Sequence, residues 1–184
     1  LKQLESLGWN VLQLDDSQKH DPAKSFRKKF DEIIIESKLK EALKRLNPWL
    51  TDVQVDDLCV QLQNYPFDHN HLLDNNQEAY NNLVSGLLAD NEETGITNTP
   101  VRVVDWTDID AFDPEDTDNE FLAISQYKVR IPGKEEHIIP DVVLFINGIP
   151  VVVIECKAPD ITDPMSEGIT QLLRYQNRRG SETM

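Results

Sequence analysis

The chain has 184 residues, of which 39% are hydrophobic, enough for one domain of ordinary size with a packed core. No apolar run approaches the ~20 residues a membrane helix needs, and the opening residues do not read as a signal peptide. A net charge of −15 argues against a free-standing nucleic-acid binder, because affinity for a phosphate backbone depends on cations.

The charge is uneven. Lys24 to Arg45 holds eight basic and four acidic residues, whereas Asp105 to Glu120 holds eight acids and no base. Both stretches read first as solvated surface. The alternative is that other parts of a larger assembly hold an anionic substrate for this chain. Cys59 and Cys156 lie far apart in apolar patterns, so both are expected to be reduced core residues of a cytoplasmic protein. The opening at Leu1 and the polar end suggest a fragment of a longer chain, with 1–184 as a single domain.

Leu1 to Leu7 reads as the end of a helix, stopped at Gly8, and Trp9 to Leu14 as a short strand covered on both faces. Asp15 to Lys24 is a polar loop. Phe26 to Leu46 is predicted helical, with Leu39, Leu43 and Leu46 at helix spacing until Asn47-Pro48 stops it. Thr51 or Asp52 can cap the next helix, whose stripe is Val55, Leu58, Cys59 and Leu62. A third helix is predicted from Asn76 to Leu88, with Tyr80, Leu83, Val84 and Leu87 facing inward. Residues 1–90 are therefore mainly helical. Asp68, His69 and His71 share a loop, but no HExxH or CxxC accompanies them, and a metal site is not expected there.

After an acidic loop containing Asp90, Glu92 and Glu93, the pattern turns strand-like. Val101 to Trp106 and Phe121 to Ile131 read as strands, joined at the surface by the acidic loop from Asp108 to Glu120. Then comes IIPDVVLFINGIPVVVIECK, two apolar runs around Asn147-Gly148, which is a strong hairpin signal. The expected fold is α/β, with a mixed sheet of four or more strands flanked by helices and the sheet and catalytic core in 101–178.

Asp141 begins the first run, while Glu155 and Lys157 end the second. Thirteen residues separate the carboxylates, the length of one hairpin, so folding sets the two ends side by side. Buried carboxylates need a compensating partner, and oxygen-only ligands suit Mg²⁺ or Mn²⁺. Such an ion could polarise a phosphodiester and acidify a water, with Lys157 holding that water or meeting the charge on phosphorus. A regular two-residue turn would instead pair Asp141 with Ile154 and send the carboxylates to opposite faces. The site therefore requires an irregularity near Pro140 or Gly148-Pro150.

Ala158-Pro159 ends the second run, an extended connection covers Asp160 to Glu167, and a helix is predicted from Gly168 to Arg178. Gln171 and Tyr175 share a face flanked by Arg174 and Arg178, while Ile169, Leu172 and Leu173 are expected to face the sheet. An amide, a phenol and two guanidiniums suit a phosphate backbone.

Pro140-Asp141 followed by Glu155-Cys156-Lys157 resembles the PD-(D/E)xK nuclease motif, and Gln171 to Tyr175 resembles the QxxxY motif of some of its branches. With Leu7-Gly8-Trp9 and Leu43 to Pro48, nearly the whole chain resembles the N-terminal nuclease domain of the R subunit of type I restriction enzymes. The resemblance implies a restriction-endonuclease-like core, with Asp141 and Glu155 as metal ligands, Lys157 as the catalytic lysine, and Gln171 and Tyr175 in support. It also implies Mg²⁺-dependent cleavage of double-stranded DNA and partnership with modification and specificity subunits. An ATP-driven motor is implied downstream in the same subunit, and this chain has no GxxxxGK[ST] of its own. An acidic residue on an upstream helix belongs to the family pattern; its matching position falls before Leu1, and Glu5 lies too near the helix end to replace it. Two other readings stay open: a RecB-like or repair nuclease of the same fold, and a non-catalytic docking domain.

Overall fold

The computed structural model describes residues 1–65, 72–107, 117–131, 134–157 and 163–177. Its centre is a mixed four-stranded sheet in the order β1-β4-β7-β8, formed by β1 (Asn10–Gln13), β4 (Phe121–Ser125), β7 (Val142–Ile146) and β8 (Ile149–Ile154). β1 runs parallel to β4, and the other two pairings are antiparallel. Five helices accompany it among the described residues: α1 (Lys2–Ser6), α2 (Glu36–Leu46), α3 (Asp52–Gln63), α4 (Leu72–Ser85) and α5 (Pro164–Asn177).

Alternation along the strands assigns the two faces of the sheet. Ala123, Val142 and Leu144 pack with Leu4 of α1, Trp9 and Val11. Leu122, Ile124, Val143 and Phe145 project the other way, onto Ile35 and Tyr127. A second core joins the stripes of α2 and α3 to a small hairpin of β2 (Leu87–Asn91) and β3 (Ile96–Val101), through Leu39, Leu43, Val55, Leu58, Leu87 and Val101. α3 begins with the expected cap: Thr51 Oγ1 accepts from the Gln54 N–H, and the Gln54 side chain accepts from the Thr51 N–H.

The β7–β8 hairpin turns at Asn147 (φ 53°) and Gly148 (φ 80°), two left-handed residues in succession as a type I′ turn requires. Asn147 is fully buried and acts as a hub, accepting from the Glu120 N–H (2.8 Å) and Arg45 Nη2 (3.2 Å) while donating to the Val103 carbonyl (3.0 Å). The Gly148 carbonyl accepts from Ile35 N–H at 2.8 Å. A Cβ on Gly148 would sit 2.6 Å from the Ile35 carbonyl oxygen and 2.9 Å from Leu39 N, both backbone atoms that cannot step aside. Gly148→Ala is therefore expected to cost about 2–4 kcal/mol, combining left-handed strain with a backbone clash, as read from chemical denaturation.

Several elements differ from expectation. The helix predicted from Phe26 starts only at Glu36, because Phe26 is left-handed (φ 61°) and Arg27 is drawn inside. The preceding polar loop contains two short 3₁₀ turns, Gln18–His20 and Pro22–Ser25. α4 ends before Gly86 (φ 78°), so residues placed at the helix end and in an acidic loop form β2 instead. Tyr80 and Val84 are exposed rather than inward-facing. The strand expected from Val101 ends there: the Asn47 side chain takes both the N–H and the carbonyl of Arg102 (2.9 and 2.8 Å), bonds a neighbouring strand would otherwise make. The long strand expected from Phe121 breaks at Gln126 (φ 55°) into β4 and β5 (Val129–Arg130), which pairs with β6 (His137–Ile138). Cys59 is buried as expected, and burial raises its thiol pKa to about 11. Cys156, by contrast, is exposed; both cysteines are free thiols.

Candidate active site

The β7–β8 register decides the site. Ile146 pairs with Ile149 and Phe145 with Pro150, but Leu144 pairs with Val152, so Val151 is an extra residue in a bulge. The shift continues to Val142↔Ile154. Extended by one residue, it sets Asp141 opposite Glu155 rather than opposite Ile154, and the carboxylates share a face. The irregularity that the sequence demanded is thus present beside Pro150. On the other side of β7, Ser125 pairs with Val142, and Gln126 N–H donates to the Asp141 carbonyl at 2.9 Å. Gln126, Asp141 and Glu155 form a row across one end of the sheet.

Asp141 is half-buried. Its Oδ2 accepts from the Cys156 N–H at 2.7 Å and its Oδ1 from Gln126 Nε2 at 3.2 Å. α5 reaches the site through Gln171. Gln171 Nε2 donates to Glu155 Oε2 at 2.7 Å, and Gln171 Oε1 accepts from Lys157 Nζ, so one amide bridges the acid and the amine. Asp163 places the helix, its Oδ1 accepting from the Ser166 N–H at 3.1 Å; hydrogen bonds from Ser166 hold its carboxyl below the usual range. Lys157, Gln171, Asp163, Ser166, Glu167 and Thr170 line an open cleft.

The structure therefore brings together Asp141, Glu155, Lys157 and Gln171. Arg174 and Tyr175 fall within α5, one turn beyond Gln171, but their side chains lie outside the described residues, as does Arg178. Asp68, His69 and His71 also lie outside them. α5 begins at Pro164 rather than Gly168, and Ile169, Leu172 and Leu173, expected against the sheet, are exposed. Glu5 is exposed on α1, whose Leu4 is the residue packed on the sheet. Two contacts had no counterpart in the sequence reading, the Cys156 N–H and Gln126. An amide at the end of an apolar run carries no signal of its own; only its register with Asp141 reveals it.

The donor set at this end of the sheet is two carboxylates, and among the described residues no group of three or more His, Cys, Asp and Glu could hold a metal ion. A pair of carboxylate donors would suit Mg²⁺ or Mn²⁺ better than zinc, since Mg²⁺ is commonly held by one or two carboxylates and keeps water or phosphate oxygens in its other positions. Among the described residues no helix is long and apolar enough to cross a membrane.

Mixed sheet, flanking helices and the clustered Asp141, Glu155 and Lys157 define an α/β domain with a restriction-endonuclease-like core. A family model of the type I restriction enzyme R protein N terminus matches residues 1–183, and the chain belongs to that family. It is 30% identical over 159 residues to the type I restriction enzyme HindI endonuclease subunit of Haemophilus influenzae, covering 86% of this chain and 14% of that protein. It is 28% identical over 170 residues to a Methanocaldococcus jannaschii protein provisionally named type I restriction enzyme MjaIXP endonuclease subunit, with the same coverages of 86% and 14%. The chain thus spans about one seventh of the length of these relatives. No solved structure matches it.

Proposed function

We propose that this N-terminal region is the nuclease domain of its R subunit, hydrolysing phosphodiester bonds in double-stranded DNA with Mg²⁺, or Mn²⁺ in its place. The observation that carries this reading is the bulged β7–β8 register, which extended by one residue puts Asp141 opposite Glu155, together with the Cys156 N–H on Asp141 Oδ2 and Gln171 joining Glu155 to Lys157. Asp141 and Glu155 are the residues that would hold the ion, which when bound supplies Lewis-acid polarisation of the phosphodiester and a more acidic water.

The remaining work falls to the chain's own groups. Lys157 carries three N–H donors, one of them directed to Gln171. The others can hold the attacking water or meet charge growing on a phosphoryl oxygen. Gln171 fixes Glu155 and Lys157 relative to each other, so neither has to be ordered when substrate arrives. Tyr175 is assigned with Gln171 to support the site through the QxxxY spacing, and with Arg174 and Arg178 on the helix that follows Glu155-Cys156-Lys157 it is assigned to the DNA backbone.

The acidity of the chain supports a division of labour. With a net charge of −15 it is poorly suited to capture DNA unaided, so the modification and specificity subunits and an ATP-driven motor in the same subunit are its proposed partners, in the cytoplasm. In the assembled enzyme with ATP, Mg²⁺ removal and Asp141→Ala are each expected to abolish double-strand cleavage while ATP hydrolysis by Asp141→Ala is retained. Equal cutting by wild type and Asp141→Ala would reject the nuclease reading in favour of a docking domain.

A further inference from the structure

We propose that Gln126 is the positioning residue for Asp141, an assignment that rests on the nuclease reading above. Two hydrogen bonds run between this pair: the Gln126 N–H to the Asp141 carbonyl at 2.9 Å, and Gln126 Nε2 to Asp141 Oδ1 at 3.2 Å. One fixes the backbone of Asp141, the other the plane of its carboxylate. With the Cys156 N–H on Oδ2 at 2.7 Å, each carboxylate oxygen has a neutral donor and keeps a further lone pair for an ion.

The amide is itself fixed. Gln126 adopts φ 55°, a left-handed conformation uncommon for a residue with a side chain, at the point where β4 stops. On its amino side Ser125 is in the β4–β7 ladder, and its hydroxyl accepts from the Leu14 N–H at 3.1 Å. On its carboxyl side Tyr127 is buried, with its hydroxyl donating to the Ile33 carbonyl at 3.0 Å. The strained residue is pinned at both ends, the pattern expected where backbone strain serves a site. The chemistry also favours an amide: a Lys or Arg here would orient Asp141 but cancel the charge a divalent cation requires, whereas Gln orients and leaves that charge in place.

The test is Mn²⁺ binding to the full-length subunit without nucleotide or DNA, followed by the paramagnetic resonance of free Mn²⁺, with Asp141→Ala defining the signal from this site. Gln126→Ala and Gln126→Gly are both expected to weaken that binding about 10-fold or more. Gln126→Gly also relieves the left-handed strain, so its unfolding midpoint should equal or exceed that of wild type. Affinity falling while stability holds is a result that a purely structural role does not produce. Wild-type Mn²⁺ affinity in both variants would overturn the role of Gln126 alone. Absence of any Asp141-dependent Mn²⁺ binding in the wild type would overturn it together with the nuclease reading.

Discussion

Lys157→Ala in the assembled enzyme is expected to slow DNA cleavage about 10²–10³-fold, the usual cost of deleting one preorganised donor aimed at developing charge. Asp141 and Glu155 are untouched by the change, so Mn²⁺ binding should be retained. That separates Lys157 from the ligands, whose loss removes metal and cleavage together. The Lys157 ammonium is tethered to Gln171 Oε1, and Gln171 is tied in turn to Glu155. Its position is therefore set by α5 as much as by the strand from which it emerges. Lys157→Arg is expected to recover little: the planar guanidinium is longer and its donors diverge in a fixed fork, so it cannot keep the Gln171 bond and reach the same point. Single-turnover cleavage at saturating Mg²⁺ measures the step directly. An undiminished rate in Lys157→Ala would remove the lysine from the chemistry while leaving the carboxylate pair in place.

The hairpin is legible in the sequence because its signals are local. Asn147-Gly148 demands a two-residue turn, and the alternation of apolar residues then leaves the carboxylates out of register unless a bulge intervenes. The bulge at Val151 is the structure's answer to a conflict visible in the sequence. The stripes of α2 and α3 are local in the same sense, each repeating with helical period. The features that the sequence does not announce depend on partners distant in the chain. Residues 26–35 carry apolar and basic groups compatible with a helix, yet Arg27 is bound to Lys128, and Ile35 to Gly148. Arg102 looks like part of a strand until Asn47, 55 residues away, claims its backbone. Gln126 is unremarkable in sequence for the same reason: its role exists only opposite Asp141.

Arg27→Ala is expected to destabilise the segment from Pro22 to Ile35 by about 3 kcal/mol. Arg27 is only 3% exposed and burial pushes its pKa down, yet it makes no salt bridge among the described residues. Its donors instead go to neutral acceptors: Ser25 Oγ at 2.9 Å, the Glu32 carbonyl at 3.0 Å and the Lys128 carbonyl at 2.9 Å. The guanidinium carbon lies 3.6 Å from the centre of the Tyr127 ring, where cation–π attraction offsets part of the desolvation cost. Truncation leaves a cavity and removes all three of these hydrogen bonds. Arg27→Met would refill much of the volume but restore none of those bonds, so it should recover a minority of the loss. Hydrogen exchange in the full-length subunit resolves the effect by segment: ~3 kcal/mol corresponds to roughly 100-fold faster exchange, since each 1.4 kcal/mol is about tenfold. The effect reaches the site through two residues, because Tyr127 and Lys128 directly follow Gln126, which holds Asp141. Loosening the Arg27 clamp should therefore weaken Mn²⁺ binding as well, though the hydrogen bonds of Arg27 go to Ser25, Glu32 and Lys128 and not to either carboxylate of the site. If exchange quickens between Pro22 and Ile35 while Mn²⁺ affinity stays at the wild-type value, the clamp serves the fold alone and the β4 end is held by the sheet.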